Sequence, residues 1–359
     1  MTSRTDGPRR AHVVGLGLIG GSIALGLRAA GWSVTGSDLV PEVAALAEGL
    51  GAIEGGAMPP DVALVVIAVP SAQVVGLALD ALARVPADAV VTDVAGVKER
   101  IVDALGDPRF IGGHPMAGSE QSGLHGARGD LFVGATWVLT PTPATTPDAY
   151  AVVLDAIRDL GATALALTAA DHDRLVAMVS HVPHLVAGAM MNEAALVAES
   201  DAALLRLAAG GFRDMTRVAA GQPTIWPDVC IDNRDAILAG LAALRGRLAR
   251  LEAAIAGKDR STILSELSAA SVARRNLPSS TPDAALLAQL RVPVPDRPGI
   301  LAEVTAAASA ANLNIYDVEI AHSQEGSSGV LILVLDVDGA HQLAAVLDER
   351  GLRSSVEAL

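Results

Sequence analysis

At 359 residues the chain exceeds one ordinary domain, and two or three domains of about 100–150 residues are expected. Hydrophobic residues make up 51% and aromatics only 2%, so the cores must be built from Ala, Val, Leu and Ile. A formal net charge of -14 argues against nucleic-acid and anionic-membrane surfaces, which need clustered cations, and leaves small molecules as the expected ligands.

The polar, basic start MTSRTDGPRRAHVV runs directly into a strand-like stretch, without the apolar core and cleavage site of a signal peptide. No stretch reaches the roughly 18 apolar residues of a membrane span, so no membrane partner is expected. The single cysteine, Cys230, excludes an intramolecular disulfide and a cysteine-based metal cluster. A reducing, cytoplasmic location is the simplest expectation.

Residues 8–168 alternate short apolar runs with Ala/Leu-rich helical stretches. The runs Ala11–Val14, Val34–Gly36, Ala63–Val69, Ala89–Thr92, Phe110–Gly112, Thr136–Leu139 and Thr163–Leu167 read as buried strands. With helices between them they predict an α/β domain on a Rossmann-type doubly wound sheet. Strand signals stop over 169–277, where stretches such as DHDRLVAMVSHVPHLVAGAMMNEAALVAE have helical length and spacing. This all-helical second domain has more apolar face than one small bundle buries. A homodimer packed through these helices is expected, with a larger monomeric bundle as the alternative. Residues 278–286 read as a linker. Residues 287–359 follow in the order strand, helix, strand, strand, helix, strand, a ferredoxin-like βαββαβ domain.

VVGLGLIGGS sets Gly15, Gly17 and Gly20 in G-x-G-x-x-G spacing straight after the first strand, with Leu18 and Ile19 inside the loop. The first glycine allows the tight turn, the second lets a pyrophosphate approach the backbone, and the third lets helix and strand pack closely. Asp38 lies eighteen residues after Gly20 at the end of the second strand. Its carboxylate would accept the ribose hydroxyls and repel a 2′-phosphate, which favours NAD over NADP. A purely structural glycine turn is the alternative.

Val69, Pro70 and Ser71 end the third strand, at the sheet edge where ligands of open α/β folds bind. Asp93 follows in DVAGVK, as a cofactor contact or as a helix N-cap. His114, in GGHPMAGSE, ends the next strand at the same edge, flanked by small residues that leave room for a ring. A neutral imidazole there can take a hydroxyl proton as hydride leaves the same carbon.

SHVPH brings Ser180, His181 and His184 to one face of a helix that Pro183 should kink. They form a polar substrate pocket or are satisfied core histidines. No further ligands at metal spacing lie nearby, so no metal is expected. The polar segment 210–235 carries Arg213, Asp214, Arg217, Trp226, Asn233 and Arg234. Arginine is the residue that clamps a carboxylate with two parallel hydrogen bonds.

Together GLGLIGGS, GGHPMAGSEQSG, SHVPH and GGFRDMTRVAAGQPTIW, over about residues 11–275, resemble the prephenate dehydrogenase family. VPVPDRPGILAEVTAAASAANLNIYDVEI resembles an ACT domain, an amino-acid-sensing module. The resemblance implies oxidation of prephenate with NAD and loss of CO2, giving 4-hydroxyphenylpyruvate on the route to tyrosine. It implies that His114 is the catalytic base and that Arg217 holds a substrate carboxylate. Ser119, Ser180, His181 and His184 would line the pocket, with Glu120 gating it and Trp226 nearby. In the ACT domain it points to Asp296, Gly299, Asn312, Asn314 and Ile315 as a tyrosine site. The chain departs from the family at Gly96, where a serine usually orients the histidine, and water or Ser119 are the replacements to consider.

Arogenate or 4-amino-4-deoxyprephenate are alternative substrates, and an NAD- and amino-acid-sensing protein without turnover is a different class. A β-hydroxyacid dehydrogenase would need a lysine early in the helical domain. The only lysines are Lys98 and Lys258.

Overall fold

The computed structural model describes residues 9–118, 121, 123–201, 203–277, 286–295, 297–322 and 328–358. Ser119, Glu120 and Asp296, and residues 278–285 of the expected linker, lie outside the described residues. The chain divides into two compact units, Met1–Gly246 and Arg247–Leu359.

The first unit opens with β1 (Arg10–Val14), α1 (Leu18–Ala29), β2 (Ser33–Ser37), α2 (Pro41–Gly49), β3 (Leu64–Ile67) and α3 (Ser71–Arg84). It continues with β4 (Val90–Asp93), α4 (Glu99–Ala104), β5 (Phe110–Pro115), β6 (Thr136–Thr140), α5 (Pro147–Asp159) and β7 (Thr163–Ala166). The seven strands form one sheet in the order β2-β1-β3-β4-β5-β6-β7. On β3, Leu64 and Val66 join Ile23, Leu27, Val153 and Ile157 on one face. Val65 and Ile67 join Val74, Ala78 and Ile101 on the other. A sheet covered by helices on both sides requires this alternation with both faces apolar.

Strand order reverses at β1, which lies between β2 and β3. The carboxyl ends of β1 and β3 therefore flank the crevice in which ligands of such folds bind. Two features differ from the sequence expectation. β6 runs antiparallel to β5, with Gly112 opposite Thr140 and Pro115 opposite Trp137, and an apolar run carries no signal of direction. Thr163, Leu165 and Ala166 of β7 are exposed rather than buried, because β7 is an edge strand paired only with β6.

The helical part of this unit begins with α6 (Ala169–Val176), a π-helical turn at Ala177–His181 and α7 (Val182–Ser200). Pro183 has no N–H to donate and its ring crowds the carbonyl four residues back. The disturbance expected from it coincides with the π turn just before it, a common accommodation at functional sites. By length and composition Ala169–Ser200 is apolar enough to cross a membrane. This corrects the expectation that no stretch reaches that limit: an average over a long helix passes it although polar residues break any continuous apolar run. His172, Asp173 and His181 of this stretch are buried. There follow α8 (Ala203–Leu207), α9 (Gly210–Thr216), short 3-10 turns at Arg217–Ala220 and Pro223–Ile225, α10 (Trp226–Asp232) and α11 (Arg234–Ala256).

The second unit contains α12 (Arg260–Arg275), β8 (Leu287–Pro295), α13 (Ile300–Ala310), β9 (Asp317–His322), β10 (Ser328–Asp336), α14 (Val337–Glu349) and β11 (Ser355–Ala358). Its sheet has the order β11-β8-β10-β9, and every pair is antiparallel. Leu290, Val292, Leu333 and Leu335 of the sheet pack with Val304 and Ala307 of α13 and Leu343 and Leu347 of α14. This is the ferredoxin-like βαββαβ arrangement read from the sequence.

Candidate active site

The glycine loop between β1 and α1 shows three distinct constraints. Gly15 has φ +90, and a Cβ there would meet the Ala68 carbonyl oxygen at 2.4 Å. A Cβ on Gly20 would meet the Gly15 oxygen at 1.9 Å. At Gly17 a Cβ would have nothing within 4 Å, so the backbone is open on that side and heads the N-terminus of α1. Leu18 and Ile19 form the first turn of α1, whose unpaired N–H groups favour an anion. Asp38 is fixed beside the loop by accepting the Leu16 N–H at 2.8 Å and the Val40 N–H at 2.9 Å. It keeps lone pairs for two ribose hydroxyls. An open backbone cradle with a fixed carboxylate eighteen residues on fits a dinucleotide.

Val69 is half-buried and Pro70 exposed where β3 runs out at the crevice. Ser71 is buried, and its hydroxyl donates to Asp232 of α10 at 2.8 Å. Arg100 joins the same carboxylate at 2.8 Å. The Ser71 side chain is thus committed to tying α3 to α10.

Asp93 is wholly buried at the end of β4 and forms an ion pair with Lys98, which is wholly buried too. Its carboxylate also accepts the Ala95 N–H at 2.9 Å and the Gly113 N–H at 3.1 Å. Asp93 therefore supports the strand end beneath His114. The N-cap of α4 is Lys98, whose backbone N–H donates to Asp173 at 2.8 Å, as the Glu99 N–H does at 2.9 Å.

The glycines before His114 have a different cause from the one read in the sequence. A Cβ on Gly112 would meet Thr140 Oγ1 at 2.4 Å, and one on Gly113 would meet the Asp93 carbonyl oxygen at 2.6 Å. Close packing of β5 demands them, and room for a ligand is not their reason. His114 Nδ1 lies 2.9 Å from His172 Nε2, and the rings meet edge to face. His172 Nδ1 lies 2.7 Å from Asp173 Oδ1. A Cβ added at Gly96 would lie 3.7 Å from His114 Nε2. The imidazole at Gly96's side is held from its other nitrogen by His172, a residue the sequence reading passed over.

His181 is buried and its Nδ1 lies 3.1 Å from the Asn233 amide, which also donates to the Asp173 carbonyl at 2.8 Å. Ser180 and His184 are half-buried on the same helical stretch. The His184 ring stacks on Trp226 with centroids 3.6 Å apart, and His181 meets Trp226 edge-on at 6.0 Å. Arg217 is exposed at the start of a 3-10 turn whose following Gly221 abuts His184: a Cβ there would lie 3.6 Å from the ring. The SHVPH histidines, Trp226 and the Arg217 turn therefore form one neighbourhood.

Burial, with the nearby His172, Lys98 and His181, holds His114 well below the usual histidine value of 6.5. The ring is thus neutral at neutral pH, with one ring nitrogen free to accept a proton. Burial lowers His181 to about 4, and burial with Arg84 lowers His12 to about 4. Because these values are depressed in the folded chain, the unfolded chain binds the extra protons. Their stabilising effect is complete above pH 6.5 and is lost as the pH falls toward about 4. Denaturant titrations between pH 7.5 and 4.5 should show the midpoint of the first unit falling with acidification; a flat midpoint would refute the neutral buried histidines.

Residues 23–166 match the family model for the prephenate dehydrogenase nucleotide-binding domain, 168–269 that for the prephenate dehydrogenase dimerization domain, and 283–352 an ACT domain. A prephenate dehydrogenase of Bacillus subtilis is 31% identical over 341 residues, covering 91% of this chain and 92% of that protein. The chain belongs to the prephenate dehydrogenase family. Among solved structures, Aquifex aeolicus prephenate dehydrogenase in complex with hydroxyphenyl propionate and NAD+ superposes with a TM-score of 0.70 at 28% identity. It matches 76% of this chain and 99% of its own. Synechocystis arogenate dehydrogenase gives a TM-score of 0.65 at 31% identity, over 74% of this chain and 98% of its own.

As a prephenate dehydrogenase family member the chain is an oxidoreductase with a nucleotide-binding domain. Among its described residues no group of three or more His, Cys, Asp or Glu is placed to hold a metal ion. In the ACT unit, Asn312, Asn314 and Ile315 line an open cleft of about 330 Å³ with Thr305, Ser309 and Leu313. Asn312 has φ 55 just after α13, a left-handed position that asparagine tolerates at helix ends. Gly299 opens α13 at its other end, roughly 16 Å away at 1.5 Å per residue, and does not line this cleft.

Proposed function

We propose that the protein catalyses the NAD-dependent oxidative decarboxylation of prephenate to 4-hydroxyphenylpyruvate, as a cytoplasmic homodimer restrained by tyrosine through its ACT unit. The observation that carries this is the neutral His114, at the end of β5 in the nucleotide-binding sheet, held on one nitrogen by His172 with its other nitrogen beside the side-chain-free Gly96. When bound, NAD supplies the acceptor for the hydride. His114 Nε2 takes the proton of the hydroxyl on the same carbon, and that carbon becomes a carbonyl. Loss of the ring carboxylate as CO2 then passes the pair of the broken C–C bond through the ring to the carbonyl oxygen, which regains a proton from His114 as the ring becomes aromatic, so this step needs no metal and no lysine Schiff base. Arg217 supplies the planar fork for a carboxylate, close to the polar face made by Ser180 and His184. His181 lies behind that face, anchored by Asn233.

The reading is tested by initial rates of NAD reduction with prephenate, arogenate and 4-amino-4-deoxyprephenate. Prephenate should give the highest kcat/KM; preference for either amine would reassign the substrate, and no turnover of any would end the enzyme reading. Tyrosine should inhibit, and Asn314→Ala should raise the inhibiting concentration about tenfold, the effect of losing one good hydrogen bond. Unchanged inhibition would remove the cleft beside Asn312 and Ile315 from the regulatory site.

A further inference from the structure

The donor and acceptor count around His114 assigns its tautomer. Asp173 accepts the backbone N–H groups of Lys98 and Glu99, at 2.8 Å and 2.9 Å, and faces His172 Nδ1 at 2.7 Å. An ionised carboxylate only accepts, so His172 Nδ1 must carry a proton. Carrying only that proton, the His172 ring presents a lone pair at Nε2. That lone pair lies 2.9 Å from His114 Nδ1, which must be the donor. The remaining nitrogen of His114, Nε2, is left as an acceptor, and the residue beside it, Gly96, carries no side chain. Both His172 and Asp173 are buried, so water does not compete for these positions.

We propose that His172 and Asp173 are positioning residues for the base: His172 carries a single proton, on Nδ1 toward Asp173, and the series Asp173, His172, His114, whose first two members are buried, fixes the His114 ring with its proton on Nδ1 and its lone pair on Nε2. Orientation is thus supplied from the Nδ1 side, with no side chain needed at position 96. The logic is that of a carboxylate holding a catalytic histidine in one tautomer, lengthened by one imidazole. Charge arriving on His114 faces the Asp173 carboxylate through a single intervening ring. The other titratable groups around this series are Lys98, paired with Asp93, and His181, held by Asn233.

The test has two arms on the full-length chain. The first is independent of turnover: nitrogen NMR of histidine-labelled protein at neutral pH, with His114 assigned by its loss in His114→Asn. His114 should show a protonated Nδ1 and an unprotonated Nε2, and in His172→Phe this should shift toward the Nε2–H form that free imidazole side chains prefer. The second arm rests on the proposed reaction. His172→Phe should lower kcat about 100-fold, within the range expected of a mispositioned base, with KM for NAD unchanged. His172→Gln, whose amide oxygen can stand where Nε2 stood, should keep kcat within about tenfold of the parent. Should His172→Phe unfold, the parent spectrum and His172→Gln still decide the matter. A proton on His114 Nε2 in the parent overturns the assignment. So does a His172→Phe protein with parental kcat, or a His172→Gln protein as impaired as His172→Phe. Absence of turnover in every variant, with the expected tautomer, would instead count against the reaction.

Discussion

Replacing His114 by Asn lowers kcat by on the order of 10²–10⁴-fold, the usual contribution of a general base, and leaves KM for the substrate nearly unchanged. Asparagine suits the purpose because its amide nitrogen occupies the place of Nδ1. It can still donate to His172, which His114 Nδ1 approaches at 2.9 Å. What disappears is Nε2, the only atom on that side chain able to take the hydroxyl proton. Ground-state contacts are little altered, so the loss should fall on the transition state. Steady-state rates against both substrates supply the check. A fall in kcat/KM caused by KM alone would make His114 a binding residue, and unchanged kcat would remove it from the chemistry.

Lys98→Met should destabilise the first unit by about 3–5 kcal/mol, the cost of leaving a buried carboxylate without its cation. Lys98 and Asp93 are both fully buried. Burial pushes the Lys98 ammonium down from its ordinary value, while Asp93 pulls it back up. Without that ammonium, the donors left to Asp93 among the described residues are the Ala95 and Gly113 N–H groups, too little to hold a full charge out of water. Adding Asp93→Asn removes the stranded charge and should recover much of the loss, since a buried pair removed together costs far less than one partner removed alone. Chemical denaturation of the three variants measures this. A loss below about 1 kcal/mol for the single variant would mean that solvent or another group relieves Asp93. Because Gly113 hangs on Asp93 next to His114, the single variant should also lose activity before it unfolds.

Much of this was legible in the chain. Apolar runs locate all seven strands of the first sheet, most clearly β3 and β4, whose Val/Ile-rich residues are buried on both faces, and Gly15, Gly17, Gly20 and Asp38 show the geometry their spacing suggests. The direction of β6 and the exposure of β7 were not legible, since neither leaves a trace in hydrophobicity. Ser71 and Asp93 sit at the expected edge, yet their side chains are committed to Asp232 and Lys98, partners that spacing does not reveal. The orienting group of His114 was missed for a similar reason. Asp171, His172 and Asp173 open a helix and look like its solvated first turn, with acidic residues favouring the helix dipole. Their importance comes from a contact spanning 58 residues of sequence. A histidine between two aspartates, just before an apolar helix, was the available signal.

Asp173 does two jobs with one carboxylate. It closes the open N-terminus of α4 on the sheet side and grips His172 on the helical side. Docking of the helical segment and tuning of the base are therefore a single event. Displacing α6 would remove the helix cap and the aligned imidazole together. The network that aligns the imidazole therefore exists only where the sheet and the helical segment meet.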